Sequence, residues 1–88
     1  MRLAKGDKVL IKGFVDYWHK EWGNQPPSAG SYGNDFVRAE TESIVCVITE
    51  ARHDGVYYVR IPEARHVWAI NKRYIVPYKT VESEAEEL

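Results

Sequence analysis

Four side chains in this sequence have the chemistry of a metal ligand or a catalytic nucleophile, namely His19, Cys46, His53 and His66. Structural zinc sites usually take ligand pairs from positions two, three or four residues apart, and no two of these residues have that spacing. Cys46 would need a neighbouring base such as His53 or His66 to act as a nucleophile. Its apolar surroundings, SIVCVIT, instead predict a buried strand residue. We therefore expect neither a metal site nor a catalytic residue.

The sequence also gives no clear motif for nucleotide binding or for acid–base catalysis. The sequence contains no Walker-type phosphate loop and no Gly-x-Ser-x-Gly elbow, and Gly30 and Gly33 do not follow a strand-to-helix pattern. Glu40, Glu42 and Glu50 flank or end a predicted strand, as solvated charges do. These observations favour a protein that is not an enzyme and uses no cofactor.

The length and composition are those of one small globular domain, which we expect over residues 1–80. The chain has 88 residues, of which 44% are hydrophobic and 28% are charged. No apolar run approaches the roughly 20 residues of a membrane span, and the opening MRLAKGDK lacks the core of a signal peptide. One cysteine cannot form an internal disulfide, so the expected location is the cytoplasm.

Charge is distributed unevenly along the chain. Residues 1–80 contain all 12 Lys and Arg residues and nine of the 13 acidic residues, whereas residues 81–88, VESEAEEL, contain four Glu and no basic residue. The last segment is predicted to be a flexible, solvated acidic tail. The alternative is a segment that folds over a basic face of the domain and competes with an anionic ligand.

Apolar residues alternate with the two-residue period of strands in four segments, 9–12, 44–50, 56–61 and 67–70. The second segment is apolar on both faces and is therefore predicted to be central in a sheet. Asp54 and Gly55 form a hairpin signal before the third segment. NKRY predicts a single 3₁₀ turn, and Pro77 in IVPY marks a last, short strand as an edge. No stretch of ten residues has a helical period, so we predict no helix longer than two turns.

This order of elements resembles that of the SH3-like small β-barrels. The resemblance is carried by KGDKVLIKG at the start, GVYYVRI in the middle and NKRYIVPY at the end. In such barrels an opening Gly-Asp-x-Val strand leads into a long loop, and a 3₁₀ turn precedes the last short strand. The resemblance implies an all-β barrel of about five strands with one long aromatic-rich loop after the first strand. The acidic-aromatic motif and the Trp pair of peptide-binding SH3 domains are missing, so binding of proline-rich peptides is not implied.

The predicted loop, DYWHKEWGNQPPSAGSYGNDF over residues 16–36, holds two of the three Trp and two of the six Tyr residues. These rings could cover an open end of the barrel, or they could remain exposed as anchors for a partner. Residues 23–33 also form a longer connection than the fold needs. We predict a non-enzymatic module that binds another protein, such as a small factor of the style found in bacterial viruses that modulates a host protein. Its predicted contact residues are Tyr17, Trp18, His19, Trp22, Tyr32 and Phe36.

The alternative interpretation is a barrel that binds nucleic acid. Basic and aromatic residues alternate within residues 60–74, and such residues can neutralise phosphates and stack on bases. The formal charge of residues 1–80 is only +3, which is weak for a domain of that kind. The candidate residues are Arg60, Arg65, Trp68, Lys72, Arg73 and Tyr74. The sequence leaves open the identity of the partner and the oligomeric state.

Overall fold

A computed structural model of the protein describes residues 3–52 and 54–78. The elements in chain order are β1 (Lys8–Ile11), α1 (Phe14–Trp22), α2 (Tyr32–Thr41), β2 (Cys46–Ala51), β3 (Val56–Arg60), β4 (Val67–Asn71), a 3₁₀ turn (Lys72–Tyr74) and β5 (Ile75–Pro77). The four strands predicted from alternation and the 3₁₀ turn before the last strand are confirmed. The predicted acidic tail, residues 81–88, and His53 lie outside the described residues.

The five strands form one antiparallel sheet in the order β4-β3-β2-β1-β5. β2 lies at the centre, as its two apolar faces predicted, and β5 lies at an edge, as Pro77 predicted. The prediction of a mainly β fold with five strands is confirmed. In the part of the chain that the structure describes, however, β4 and β5 remain separate edges. The sheet is therefore open rather than closed into the expected barrel.

The segment between β1 and β2 contains two helices, which the residue pattern did not predict. It contains α1 with nine residues and α2 with ten, so the prediction of a single long loop with no helix beyond two turns is wrong. Apolar residues three and four positions apart give each helix one face that packs against the core: Phe14, Tyr17 and Trp18 in α1, and Phe36 and Ala39 in α2. Neither of these helices is long and apolar enough to cross a membrane.

The core lies between the two helices and one face of the sheet. Successive strand residues point to opposite faces, so alternate side chains of each strand reach it. Phe36 of α2 has no exposed surface, and its ring lies 5.2 Å from that of Phe14. The fully buried side chains are Val9, Ile11, Phe36, Cys46, Ile48, Val59 and Ile61. The sheet core thus depends on α2 to cover it.

Cys46 is a buried core residue, as predicted. It has no exposed surface, and its thiol donates a hydrogen bond to the backbone carbonyl of Ile44 at 3.5 Å. Burial raises the pKa of the Cys46 thiol to about 11, so the group is protonated at neutral pH. Because the thiolate is the reactive form, the structure gives this cysteine the properties of an inert core residue.

We expect native Cys46 to react with an aromatic disulfide reagent at pH 8 at least about a hundredfold more slowly than the urea-unfolded chain, because only transient opening exposes the thiol. The absorbance of the released aromatic thiolate measures both rates. A native rate equal to the unfolded rate would contradict the buried position and would restore the nucleophile as a candidate.

Candidate functional site

Glu40 provides the cap with which α1 begins. The helix follows Gly13, which has φ of 78° and no side chain that could accept a hydrogen bond from the free N–H groups of the first turn. The Glu40 carboxylate accepts hydrogen bonds from the backbone N–H groups of Gly13, Phe14 and Val15 at 3.2, 2.7 and 2.9 Å. Its charge also stabilises the positive end of the helix dipole. The interpretation of Glu40 as a solvated charge is therefore wrong.

Gly33 and Trp18 form the close contact between the two helices. Gly33 is buried in the first turn of α2, and a Cβ atom there would lie 2.5 Å from Cζ3 of Trp18. Only glycine lets the indole ring lie against the backbone of α2. The indole N–H of Trp18 also donates to the carbonyl of Gln25 at 2.8 Å, which ties the connection between the helices to α1. The Trp22 ring packs against that of Trp18 at 5.6 Å, tilted by 31°, but remains 52% exposed.

Asp35 joins α2 to the edge strand β4. Its side chain is buried, and Oδ2 accepts a hydrogen bond from the indole N–H of Trp68 at 2.7 Å. A buried polar side chain requires such a partner, because leaving its oxygen without a hydrogen bond away from water is costly. The Trp68 ring also contacts Tyr32 at 6.1 Å and His66 at 5.2 Å. Trp68 is therefore held on the helical face of the sheet.

A cleft of about 300 Å³, which we call the tyrosine cleft, opens between the two helices and the end of β4. Phe14 is a buried lining residue that contacts three of the tyrosine rings, with ring distances of 5.5, 6.2 and 5.8 Å to Tyr17, Tyr32 and Tyr74. Partial burial, with a smaller contribution from Tyr32, raises the pKa of Tyr17. The lining residues are Phe14, Tyr17, Tyr32, Phe36, Ala69, Ile70, Asn71, Arg73 and Tyr74.

A second cleft of about 260 Å³, the tryptophan cleft, lies on the other side of Tyr32. The two neighbouring indole rings of α1 form one wall and the connection between the helices forms another. Its lining residues are Trp18, Trp22, Gln25, Pro26, Pro27, Ser28, Ser31, Tyr32 and Gly33. Tyr32 is 41% exposed and lines both clefts, so the two clefts are neighbours on the protein surface.

The structure brings most of the predicted protein-binding residues to these two clefts. Tyr17, Trp18, Trp22 and Tyr32 line one or both of them. Phe36 forms part of the floor of the tyrosine cleft and is fully buried, so in the free protein it supports the surface without being part of it. His19 is exposed on α1 and lines neither cleft.

The residues predicted to bind nucleic acid are divided between the two faces of the sheet. Arg60 is exposed in β3, whereas its neighbour Val59 is buried and pairs with Trp68. Because successive strand residues point to opposite faces, Arg60 and Trp68 do not share one surface. The other four residues lie at the ends of β4, with Arg65 before it and Lys72, Arg73 and Tyr74 after it.

Three residues that hold the site together were not identified from the sequence: Gly33, Asp35 and Glu40. One sequence signal for α2 was available: serine is a preferred N-cap residue. In the structure Ser31 occupies that position, and its hydroxyl accepts a hydrogen bond from the backbone N–H of Asn34 at 3.3 Å. The contact from Glu40 to the start of α1 spans 26 residues in the sequence. A single sequence contains no pattern that predicts such a contact.

Comparison with known proteins gives no relative from which a function could be transferred: no family model, no curated protein and no solved structure matches the chain. Within residues 3–52 and 54–78, no group of three or more His, Cys, Asp or Glu side chains is placed to hold a metal ion. The properties of the two clefts are therefore the basis for inferring what the protein binds.

We expect Glu40→Ala to lower the free energy of unfolding by about 2 kcal/mol, because it leaves the first N–H groups of α1 without an acceptor. Glu40→Gln keeps an acceptor oxygen but loses the charge, and should cost about 1 kcal/mol. Urea titrations followed by circular dichroism measure both changes. Glu42→Ala is the matched control, because Glu42 is exposed and follows the last residue of α2, and it should remain within about 0.5 kcal/mol of wild type. Equal effects at the two glutamates would contradict the capping role.

Gly33→Ala should destabilise the protein by about 1–3 kcal/mol, because the new methyl group meets the Trp18 ring. At an unhindered helix position the same substitution stabilises by up to about 1 kcal/mol, so the sign of the effect is itself informative. Combining it with Trp18→Leu removes the clash, and the double variant should lose less than the two single variants together. Additivity to within about 0.3 kcal/mol in thermal unfolding would show that the two residues are not in contact.

Proposed function

We propose that this protein is a non-enzymatic module that binds another protein through the surface formed by the tyrosine and tryptophan clefts. One observation carries the proposal: Trp22 and Tyr32 are 52% and 41% exposed, although Phe14 and Phe36 of the same helices are buried. Monomeric proteins seldom leave large apolar side chains grouped at the surface without a use. Trp and Tyr beside concave sites are the commonest anchors of protein interfaces.

The surface is already formed in the free protein, which supports a binding role. Trp22 rests on Trp18, whose indole N–H is bound to the carbonyl of Gln25. Tyr32 packs edge-on against the buried ring of Phe36 at 6.5 Å. Rings held in this way lose little conformational freedom when a partner binds, and the entropic cost of association is correspondingly small.

The order of elements supports a relation to the SH3-like small barrels. The strands β2, β3 and β4 form a meander, and a 3₁₀ turn then leads to the short β5, which pairs with β1. We propose that α1 and α2 occupy the position of the long loop of those barrels and that the sheet stays open at β4. The corresponding biological role is that of a small viral or accessory factor that modulates a host protein.

Binding of nucleic acid is the second candidate, and one observation favours it. Arg73 and Tyr74 line the same cleft as Tyr17 and Tyr32, so a base could stack on a ring while a phosphate meets the guanidinium. The two candidates differ in their response to salt. Phosphate contacts weaken steeply with added salt, because salt reduces the free energy gained when counterions are released from the nucleic acid. The burial of aromatic side chains is not screened in this way.

We expect Trp22→Ala to weaken binding of the protein partner by about thirtyfold or more, which corresponds to about 2 kcal/mol, while the fold is retained. Tyr32→Ala should have an effect of the same size. The partner is isolated with immobilised protein from lysate with and without nuclease, purified, and titrated by calorimetry. Tyr78→Ala is the matched control, because Tyr78 is an aromatic residue with 38% exposure that lines neither cleft.

Two results would decide against the proposed protein contact. Normal binding by Trp22→Ala and Tyr32→Ala, together with weak binding by Arg73→Ala and a ligand released by moderate salt or nuclease, would favour nucleic acid. Loss of the folded circular dichroism spectrum in Trp22→Ala would identify this ring as part of the structural core.

A further inference from the structure

The β5 edge of the sheet offers no free hydrogen-bond donor at its outward-facing positions. In an antiparallel pair, alternate residues direct their N–H and C=O groups toward the neighbouring strand and the others direct them away. The N–H of Tyr78 donates to the carbonyl of Lys8 at 2.9 Å, so the outward residues of β5 are Ile75 and Pro77. The N–H of Ile75 is already bonded to the carbonyl of Lys72, and proline has no N–H.

The β4 edge is the opposite case. The N–H of Lys72 donates to the carbonyl of Gly55 at 2.9 Å, and by alternation Val67, Ala69 and Asn71 face outward. Within the described part of the chain, no loop, helix or side chain accepts a hydrogen bond from these three N–H groups. The strand contains no proline and no charged residue, which are the usual protections of an exposed edge.

The tyrosine cleft lies directly beside this open edge. Ala69, Ile70 and Asn71 of β4 line it together with Tyr32 and Arg73. A strand added to β4 would direct alternate side chains toward the helical face of the sheet, where the cleft opens. Its volume of about 300 Å³ has room for one large apolar side chain. The edge and the cleft together therefore offer both main-chain and side-chain contacts.

Charge determines which segment fits. Arg65 precedes β4, Lys72 and Arg73 follow it, and residues 64–78 contain no Asp or Glu. An extended segment with acidic residues on both sides of an apolar centre is complementary to this pattern. A second copy of the protein is not complementary to this pattern, because antiparallel pairing of two β4 strands centred on Ala69 would place Arg65 of one copy opposite Arg73 of the other. Like charges directly opposite each other destabilise a strand pair.

We propose that β4 accepts, as a sixth strand of the sheet, an extended segment of another protein that has alternating apolar residues at its centre and acidic residues on both sides. Hydrogen bonds to the backbone of Val67, Ala69 and Asn71 supply affinity, and a large side chain in the tyrosine cleft supplies selectivity. The inference rests on the proposed role as a protein-binding module and specifies how the partner binds.

A phage-displayed library of random peptides of about twelve residues, selected on the wild-type protein, tests this mode of binding. We expect the enriched peptides to have alternating apolar residues flanked by Asp or Glu. The strongest peptide, labelled and titrated by fluorescence anisotropy, should bind Ala69→Pro at least about tenfold more weakly. The N–H of Ala69 faces away from β3, so proline removes no hydrogen bond of the sheet. Ala69→Ser keeps this N–H and should bind like the wild type.

Methylation of the peptide backbone provides a test that does not depend on the folding of Ala69→Pro. N-methyl groups at the alternate positions that face β4 should abolish binding, and those at the other positions should leave it unchanged. Equal effects of the two sets, equal affinity for Ala69→Pro and wild type, or the absence of an acidic, alternating pattern would overturn the proposal. If one of these results is obtained but the peptides bind the Trp22→Ala variant more weakly than the wild type, the proposed protein-binding role is retained. Only the binding at β4 is then refuted.

Two further outcomes would assign the edge to a different occupant. Peptides that bind only after removal of residues 81–88 would identify the acidic segment of the chain itself as the ligand of β4. Dimerisation in sedimentation experiments that is lost in Ala69→Pro would identify a second copy. Either result overturns the proposed docking of another protein.

Discussion

The rest of the site depends on the contact between Glu40 and the first turn of α1. A helix of nine residues is marginal by itself, because nucleation fixes several residues for one hydrogen bond. Gly13 has no side chain that could cap α1, and the Glu40 carboxylate of α2 takes over this role. α1 is therefore stable only where α2 is in place. The two helices act as one unit, and their aromatic side chains are presented on one surface.

The position of α2 is in turn fixed by contacts of three different kinds. Phe36 fills the core, Gly33 allows the close approach of Trp18, and Asp35 accepts the indole hydrogen bond of Trp68. An apolar ring tolerates some rotation of its helix, whereas a hydrogen bond between two side chains allows little. The hydrogen bond to Trp68 thus sets the rotation of α2 about its own axis, and the apolar contacts set how closely the helix approaches its neighbours. The tyrosine cleft, which has walls from α1, α2 and β4, inherits its shape from these contacts.

The strands could be predicted because a buried sheet imposes a period of two that is independent of distant residues. The helices were missed because tertiary contacts, rather than helix propensity, select their residues: Gly33 is a poor helix former that the Trp18 ring requires. The same limit applies to the site. Trp22 and Phe36 look equivalent as aromatic residues in one segment, yet one is exposed and the other is fully buried. Their positions around the helix axes decide which of them is buried. A segment interpreted as a loop has no helix axis from which this could be predicted.

The sheet order has a consequence for how the protein forms during synthesis. β1 lies between β2 and β5, so the first and last strands described are neighbours, whereas β2, β3 and β4 are joined by short connections. Contacts between residues close in sequence form early, and distant pairings wait for loop closure. As the ribosome extends the chain, β1 therefore lacks its second neighbour until β5 has been made. During that interval β1 has one free edge, and unpaired strand edges are what make partly folded chains prone to aggregate and dependent on chaperones.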